Sequence, residues 1–359
     1  IWSGTLFVRG AYQDLFTAYT SWKFFNTTSI GAYRIGVDIN NVLTKVALGI
    51  FLYAIWKTFD NKRYGALVVQ LMIFFYFFSL QIQNIDRRTL PFLIGLSVIV
   101  IALRSASNIL FFVTGLFSAI CAFYSLDTGI YFTALLFGLF PLLLITRLFS
   151  PKTLLTKFLF IFSGIIVGWG FFYLSVGKYE FNAFLDNLYY ILKVKDLLDS
   201  KVYPSLNLLT SFRFTLPIII SGFNLLSFCL LSFTWYRHND LKVVHSVHGL
   251  LTLASLLIYR SALGRSDLTH VEYSSTFLII LLGVNVALFI SILITNEKFL
   301  RHTVYILTVL NILFISTSII SSFNLNNVLT LNKRINYFVT RSDTEFLNEK
   351  KAIGINELQ

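Results

Sequence analysis

Charge is scarce in this sequence. Only 13% of its 359 residues are Asp, Glu, Lys or Arg, roughly half the ~25% usual for soluble domains, which excludes an ordinary water-soluble globule. Cysteine is scarcer still. Cys121 and Cys229 are the only two, each inside an apolar run, so neither a disulfide framework nor a zinc site is indicated. No P-loop, GxSxG, HExxH or paired CxxC is present, which removes the nucleotide, serine-hydrolase and zinc-protease classes that those motifs mark. Alternating strands of about ten residues, the mark of a membrane β-barrel, are absent, and no internal repeat stands out.

What is there is apolar: 56% of the chain, with a mean hydropathy of +0.73. The apolar residues form continuous runs of about 20, long enough for a hydrocarbon core about 30 Å thick. The fold class expected is an all-α polytopic membrane protein. Ten transmembrane helices are expected, near 39–58, 65–83, 90–103, 108–125, 130–148, 157–176, 214–235, 243–259, 275–294 and 303–321. The third is short, and Arg104 with "SASN" makes it and the fourth a tight hairpin. The chain opens "IWSGTLFVRG" without Met, so one more span is expected upstream. The net charge of +12 reflects loop anchoring and anionic headgroups in such a protein, and no nucleic-acid partner is expected.

Lys and Arg in short loops set orientation. One alternating set, "KTFDNKRYG", "RSASN", "RLFSPKTLLTK", "YRHNDLK" and "TNEKFLRH", carries eleven Lys and Arg against three acids, Asp60, Asp240 and Glu297. That set is assigned to the cytoplasm. The remaining fourteen acids then share the opposite side, with residues 1–38, the loop 177–213 and the tail 322–359. Residues 1–321 form one transmembrane module. The tail, with nine charges in 38 residues, reads as a polar extracytoplasmic segment or the start of a C-terminal domain. Two outer loops carry helical apolar spacing: Tyr12, Leu15, Phe16, Tyr19 and Trp22 in one, and Phe181, Phe184, Leu185, Leu188, Ile191 and Leu192 in the other. Such helices lie in the headgroup plane.

Three stretches carry candidate chemistry, and all fall on the outer side. Asp14, in "VRGAYQDLFTAY", is either a solvated interfacial charge or a general base at the rim of a membrane cavity. Asp127 and Gly129, in "AFYSLDTGIYF", supply what a tight reversal between two spans requires. The third stretch, "RSALGRSDLTHVEYSS", gathers Arg260, Arg265, Asp267, His270 and Glu272 between two of the greasiest runs. A helix beginning near Asp267 has that residue at its cap and His270 one turn on. The cluster is a solvated loop, a phosphate site built from Arg and His, or a metal site shared by Asp267 and His270.

In order and sidedness these pieces resemble the GT-C fold of integral-membrane glycosyltransferases, which take sugar from a polyprenyl-phosphate carrier. "GAYQDLF" resembles that family's first outer loop, where Tyr-x-Asp-x-Phe precedes an interfacial helix, and Asp14 takes the place of the catalytic acid. With one upstream span the loop 177–213 follows the seventh span, as in that fold. "FFVTGLFSAICAFYSLDTGIYF" is similar to a Gly-rich helix that ends in an Asp-x-Gly turn, and "LGRSDLTH" looks like an Arg-x-Asp-x-x-His loop of bacterial relatives. "AYTSWKFF" departs from the Gly-Pro that continues the first loop in many relatives.

The resemblance implies a glycosyltransferase of the cytoplasmic membrane, working on its extracytoplasmic side. Its donor is a polyprenyl-phosphate-linked sugar and its acceptor a glycan, lipid or protein hydroxyl; it needs no nucleotide or organic cofactor. Asp14 is the expected catalytic base. Arg265, His270 and Arg260 bind the donor phosphate, supported by Asp127, Asp267 and Glu272. An O-antigen polymerase or ligase is the near alternative and lacks an essential acid before the second span. A lipid or sugar transporter is the distant one. It favours ionisable groups in mid-span, whereas charges here stand at span ends.

Overall fold

The computed structural model describes residues 22–23, 30–78, 87–179, 181–186, 189, 193, 207, 211–235, 242–264, 268–293 and 297–322. Among the described residues there is no strand, and ten long helices follow one another. They are α1 (Ile30–Thr58), α2 (Lys62–Phe78), α3 (Leu90–Ser105), α4 (Asn108–Tyr124), α5 (Leu126–Thr146), α6 (Pro151–Val176), α7 (Phe212–Trp235), α8 (Lys242–Gly264), α9 (Leu268–Leu293) and α10 (Glu297–Ser322). Each expected apolar segment overlaps one of them within the described residues. Six contain stretches long and apolar enough to cross a membrane: Ile35–Thr58, Leu126–Thr146, Pro151–Val176, Phe212–Ser232, Lys242–Arg260 and Lys298–Ser316. The others are shorter in their apolar part. At 1.5 Å per residue, the 16 and 17 residues of α3 and α4 rise only about 25 Å.

Side-chain distribution identifies the medium. Leu155, Leu159, Phe162, Ile166 and Leu174 form an exposed stripe along α6; Val42, Val46, Ile50 and Tyr53 do the same on α1. Inside, by contrast, lie Thr44, Ser97, Thr114, Asn224, Ser255 and Asn285. An aqueous surface rarely tolerates contiguous apolar stripes of this length, whereas lipid requires them. Several buried hydroxyls are satisfied without water, by bonding back to their own helices: Thr44 donates to the Asn40 carbonyl, Ser97 to Leu93 and Thr252 to His248. The protein is α-helical and membrane-embedded.

Short connections force neighbouring helices antiparallel. α1 and α2 are joined by residues 59–61, α3 and α4 by 106–107, and α4 and α5 by Ser125 alone. At the α3–α4 hairpin Ala106 takes a left-handed conformation (φ 52°). The buried Lys157 of α6 closes that hairpin. Its ammonium donates to the Ala106 carbonyl and to Asn108 Oδ1 (2.6 Å), over the rings of Phe111 and Phe149. α6 starts where it does because Ser150 caps the Thr153 amide and Pro151 needs no donor partner at the first position.

The α4–α5 connection differs from the turn expected of "SLDTG". Ser125 is extended (φ −155°, ψ 121°), and α5 begins directly after it. Asp127 therefore stands in the first helical turn rather than in a loop. Gly129 is helical too, and a side chain there collides with the backbone of Ala122 on α4. Close helix packing, not turn geometry, requires that glycine.

α8 is the centre of the bundle. Of its membrane-crossing window 67% is buried, against 11% for that of α10, and α8 packs on α1, α3, α5, α7 and α9. Its register on α5 is antiparallel: Gly138 faces Leu253, Leu142 faces Gly249, and the Ser246 hydroxyl donates to Thr146 Oγ1 at 2.8 Å. At the other end Phe92 meets Phe132 and Phe277 edge-on, at 5.5 and 5.8 Å between centroids, joining α3, α5 and α9.

α4 and α6 approach most closely of all. Gly115 and Ala119 on α4 face Gly164 and Gly168 on α6, two small-xxx-small pairs. A Cβ on Gly115 falls on the Ile161 carbonyl oxygen, and one on Gly164 falls on that of Phe112. Gly115→Val or Gly164→Val is expected to lower stability by about 1–3 kcal/mol or more, read as a lower unfolding temperature in detergent. Gly170→Ala, facing open space, should leave it unlowered. Equal behaviour of the three would refute backbone contact between α4 and α6.

Candidate functional site

Two polar assemblies stand out, one at an end of the bundle and one inside it. At the end, Asp127 holds three partners. Its Oδ1 accepts from the Thr128 amide (2.9 Å) and from the Ser125 hydroxyl, and its Oδ2 lies 3.8 Å from Arg88 Nη1. Arg88 comes from the 3-10 turn Arg87–Thr89 that leads into α3. Both side chains are about half exposed, at 45% and 43%, so the pair is open to a ligand. Carboxylate and phosphate both match the guanidinium fork, so an arginine placed here can be handed from one to the other.

The α5–α8 register carries the C-terminal part of α8, with the exposed Arg260, to this same end. α9 begins there as well, at Leu268, one residue past the cap position expected of Asp267. His270 and Glu272 stand in its first turns, on the end marked by Phe277. The structure thus gathers Asp127, Arg260 and the helix positions of His270 and Glu272, and adds Arg88. Asp14, Arg265 and Asp267 lie outside the described residues, as do the side chains of His270 and Glu272. Among the described residues no three His, Cys, Asp or Glu come together as metal ligands.

A short helical stretch covers part of this end. Residues 181–186 are helical, with Phe181 and Phe184 turned inward on Phe172, 5.8 and 5.7 Å between centroids. Trp169 and Phe123 complete the cluster, Phe123 stacked on Phe172. Asn182 and Asp186 point outward. Of the apolar positions expected here, Phe181 and Phe184 turn inward, and Leu185 is 42% exposed. Leu188, Ile191 and Leu192 lie outside the described residues, and of the first-loop helix only Trp22 is described, half-exposed.

The second assembly was missed by sequence reasoning. Inside the bundle His248 Nε2 of α8 lies 2.6 Å from Asn285 Oδ1 of α9. Asn285 donates to Asn224 Oδ1 of α7 at 2.7 Å, and Asn224 donates to the Leu278 carbonyl at 2.9 Å. One turn away His245 Nε2 meets the Ser232 hydroxyl of α7 at 2.7 Å. His245, His248, Asn224 and Asn285 are all buried. The expectation that charges stand at span ends took no account of these two imidazoles, which lie in the first two turns of α8. The available signal was two histidines three apart in "KVVHSVHGLL", with single asparagines in "SGFNLLS" and "LGVNVAL".

No protein-family model matches this chain, and neither a characterised protein nor a solved structure matches it.

Because the Arg88–Asp127 pair is half exposed, its electrostatic worth is small. Asp127→Asn keeps an oxygen for the Thr128 amide and is expected to change stability by less than about 1 kcal/mol. Asp127→Ala, losing acceptor and helix-end charge together, should cost about 1–2 kcal/mol. Chemical unfolding of the purified protein in detergent measures both, and an Asn variant as damaged as the Ala variant would contradict the assignment.

Proposed function

We propose that this protein is a membrane glycosyltransferase, moving a sugar from a polyprenyl-phosphate carrier to a hydroxyl on a glycan, lipid or protein. In this reading all ten helices cross the cytoplasmic membrane. The end bearing Arg88, Asp127 and Arg260 then faces outward. What supports the reading is that end: accessible arginines and a carboxylate beside the start of α9, above a lipid-facing bundle between whose helices an isoprenoid tail can lie.

The acceptor oxygen attacks the anomeric carbon while the bond from that carbon to the phosphate oxygen breaks. The hydroxyl proton passes to Asp14 as general base, and polyprenyl phosphate departs. Arg265, with Arg260 or His270, stabilises the charge gathering on the leaving phosphate. Asp127, with Arg88, Asp267 and Glu272 are supporting groups that hold the arginines and the start of α9 in place.

Asp14→Asn is expected to leave the protein folded and to abolish transfer from a polyprenyl-phosphate sugar. Arg265→Ala should weaken polyprenyl-phosphate binding by about ten- to a hundred-fold, the loss of one charge-assisted contact. Arg265→Lys should recover part of it, keeping charge but not the fork. Wild-type transfer by Asp14→Asn, or unchanged affinity in both Arg265→Ala and His270→Ala, would sink the reading.

Topology supplies an independent check. A cysteine at Ser266 should react with a membrane-impermeant thiol reagent from outside, and one at Asn61 should not. Labelling of both from one side would separate the groups assigned to the site.

A second reading, transport of a lipid or sugar, is favoured by the buried histidine pair, since ionisable groups inside a span mark ion and substrate paths. It predicts uptake or flipping by liposomes that contain the purified protein and survival of that activity in Asp14→Asn.

A further inference from the structure

The hydrogen-bond ladder through α7, α8 and α9 has a direction, and the Leu278 carbonyl sets it. A peptide carbonyl only accepts, so Asn224 must present its Nδ2 there. Its Oδ1 is then left for Asn285 Nδ2, and Asn285 Oδ1 is left for His248. That oxygen cannot donate, so His248 Nε2 must carry the hydrogen. The ladder thereby fixes the tautomer and leaves Nδ1 as the ring's proton-accepting atom.

The two asparagines tie α7 to α9 without the histidine. An imidazole adds cost in a membrane span and brings one property that an amide lacks, titration near neutral pH. Asn285 Oδ1 accepts from the ring, and the Phe228 ring of α7 packs tilted against both imidazoles, 5.6 Å from that of His248 and 5.7 Å from that of His245 between centroids. His245 is one turn nearer the Lys242 end of α8, bonded to Ser232, and so stands between His248 and that end.

The charged groups on the packed helices lie elsewhere. α5 has Asp127, α7 has Arg213, and α9 has His270 and Glu272, all at the opposite end. α3 has Arg104, which is exposed. α1 has Arg34, Asp38, Lys45 and Lys57, of which Asp38 and Lys45 are exposed. Arg147 and Lys242 stand at the helix ends nearest His245. Among the described residues the carboxylates of these packed helices stand away from the imidazole, whose neighbours include the Asn285 amide oxygen and the Phe228 ring.

We propose that His248 is an intramembrane proton-binding site served by His245. A proton from water at the Lys242 end passes to His245 and then to Nδ1 of His248. The Nε2–H stays donated to Asn285, and the ring becomes imidazolium. The proposal is independent of sugar transfer and holds whichever activity the outer end performs.

Nitrogen-15 NMR of the full chain in lipid nanodiscs, labelled at histidine, tests it between pH 8 and pH 4. The expected result is one imidazole protonated at Nε2 alone at high pH, which gains a second N–H on acidification while the first persists. This signal should be absent in His248→Gln. Asn285→Leu should weaken proton uptake by about ten-fold or more, through loss of the acceptor. His245→Gln should slow uptake after a pH jump and leave the equilibrium titration of His248 in place. A His248 ring that stays neutral to pH 4 in folded wild-type protein would overturn the proposal and make the ladder a tether only. An unchanged rate in His245→Gln would remove His245 from the path. The wild-type titration needs no variant to fold.

Discussion

Helices in hydrocarbon gain little by burying Leu against Leu, because lipid offers the same contact. What remains to hold them is close backbone approach and hydrogen bonding that water cannot replace. This protein uses both, in different places. α4 and α6 meet through Gly115, Ala119, Gly164 and Gly168, so near that main-chain carbonyls touch the facing glycines. α7, α8 and α9 are joined by amides and imidazoles, and Asn311 of α10 reaches the Gln70 carbonyl and side chain on α2 at 2.9 and 2.6 Å. The outer surface is left to Leu, Ile, Val and Phe.

That division also distributes chemistry. Groups inside the bundle must find other protein groups, so the internal ladder is directional. Groups at the bundle end meet water and can exchange partners. Arg88 and Asp127 are half exposed and 3.8 Å apart, a loose pair suited to meeting an anion. His248 and Asn285 are buried and 2.6 Å apart, a tight pair suited to holding one proton. The two assemblies lie toward opposite ends of α8.

The aromatic residues serve a third purpose. Phe181 and Phe184 fold a short helix back onto Phe172, Trp169 and Phe123. They bring the chain that leaves α6 across the end where α4 finishes and α5 begins. Asn182 and Asp186 of that stretch are left exposed.

Much of this was legible in the sequence, and the reason is periodicity. Continuous apolar runs allow one structure in lipid, the helix, because every amide must be satisfied within its own segment. Ten runs therefore became ten helices in the expected order, and Ser, Asn and Lys at their ends marked the turns. The hairpin at "SASN" followed from the same local rules. What the sequence could not determine is which face meets which. Nothing in "SLDTG" announces that Gly129 is spared a side chain for Ala122, or that Arg88, 39 residues earlier, stands beside Asp127. Nor can His248, Asn285 and Asn224 be matched from runs dozens of residues apart, since a single polar residue in an apolar run looks alike whether it faces a partner or a void. Local spacing fixes where a helix begins and ends; only packing in three dimensions decides which buried polar atoms find each other.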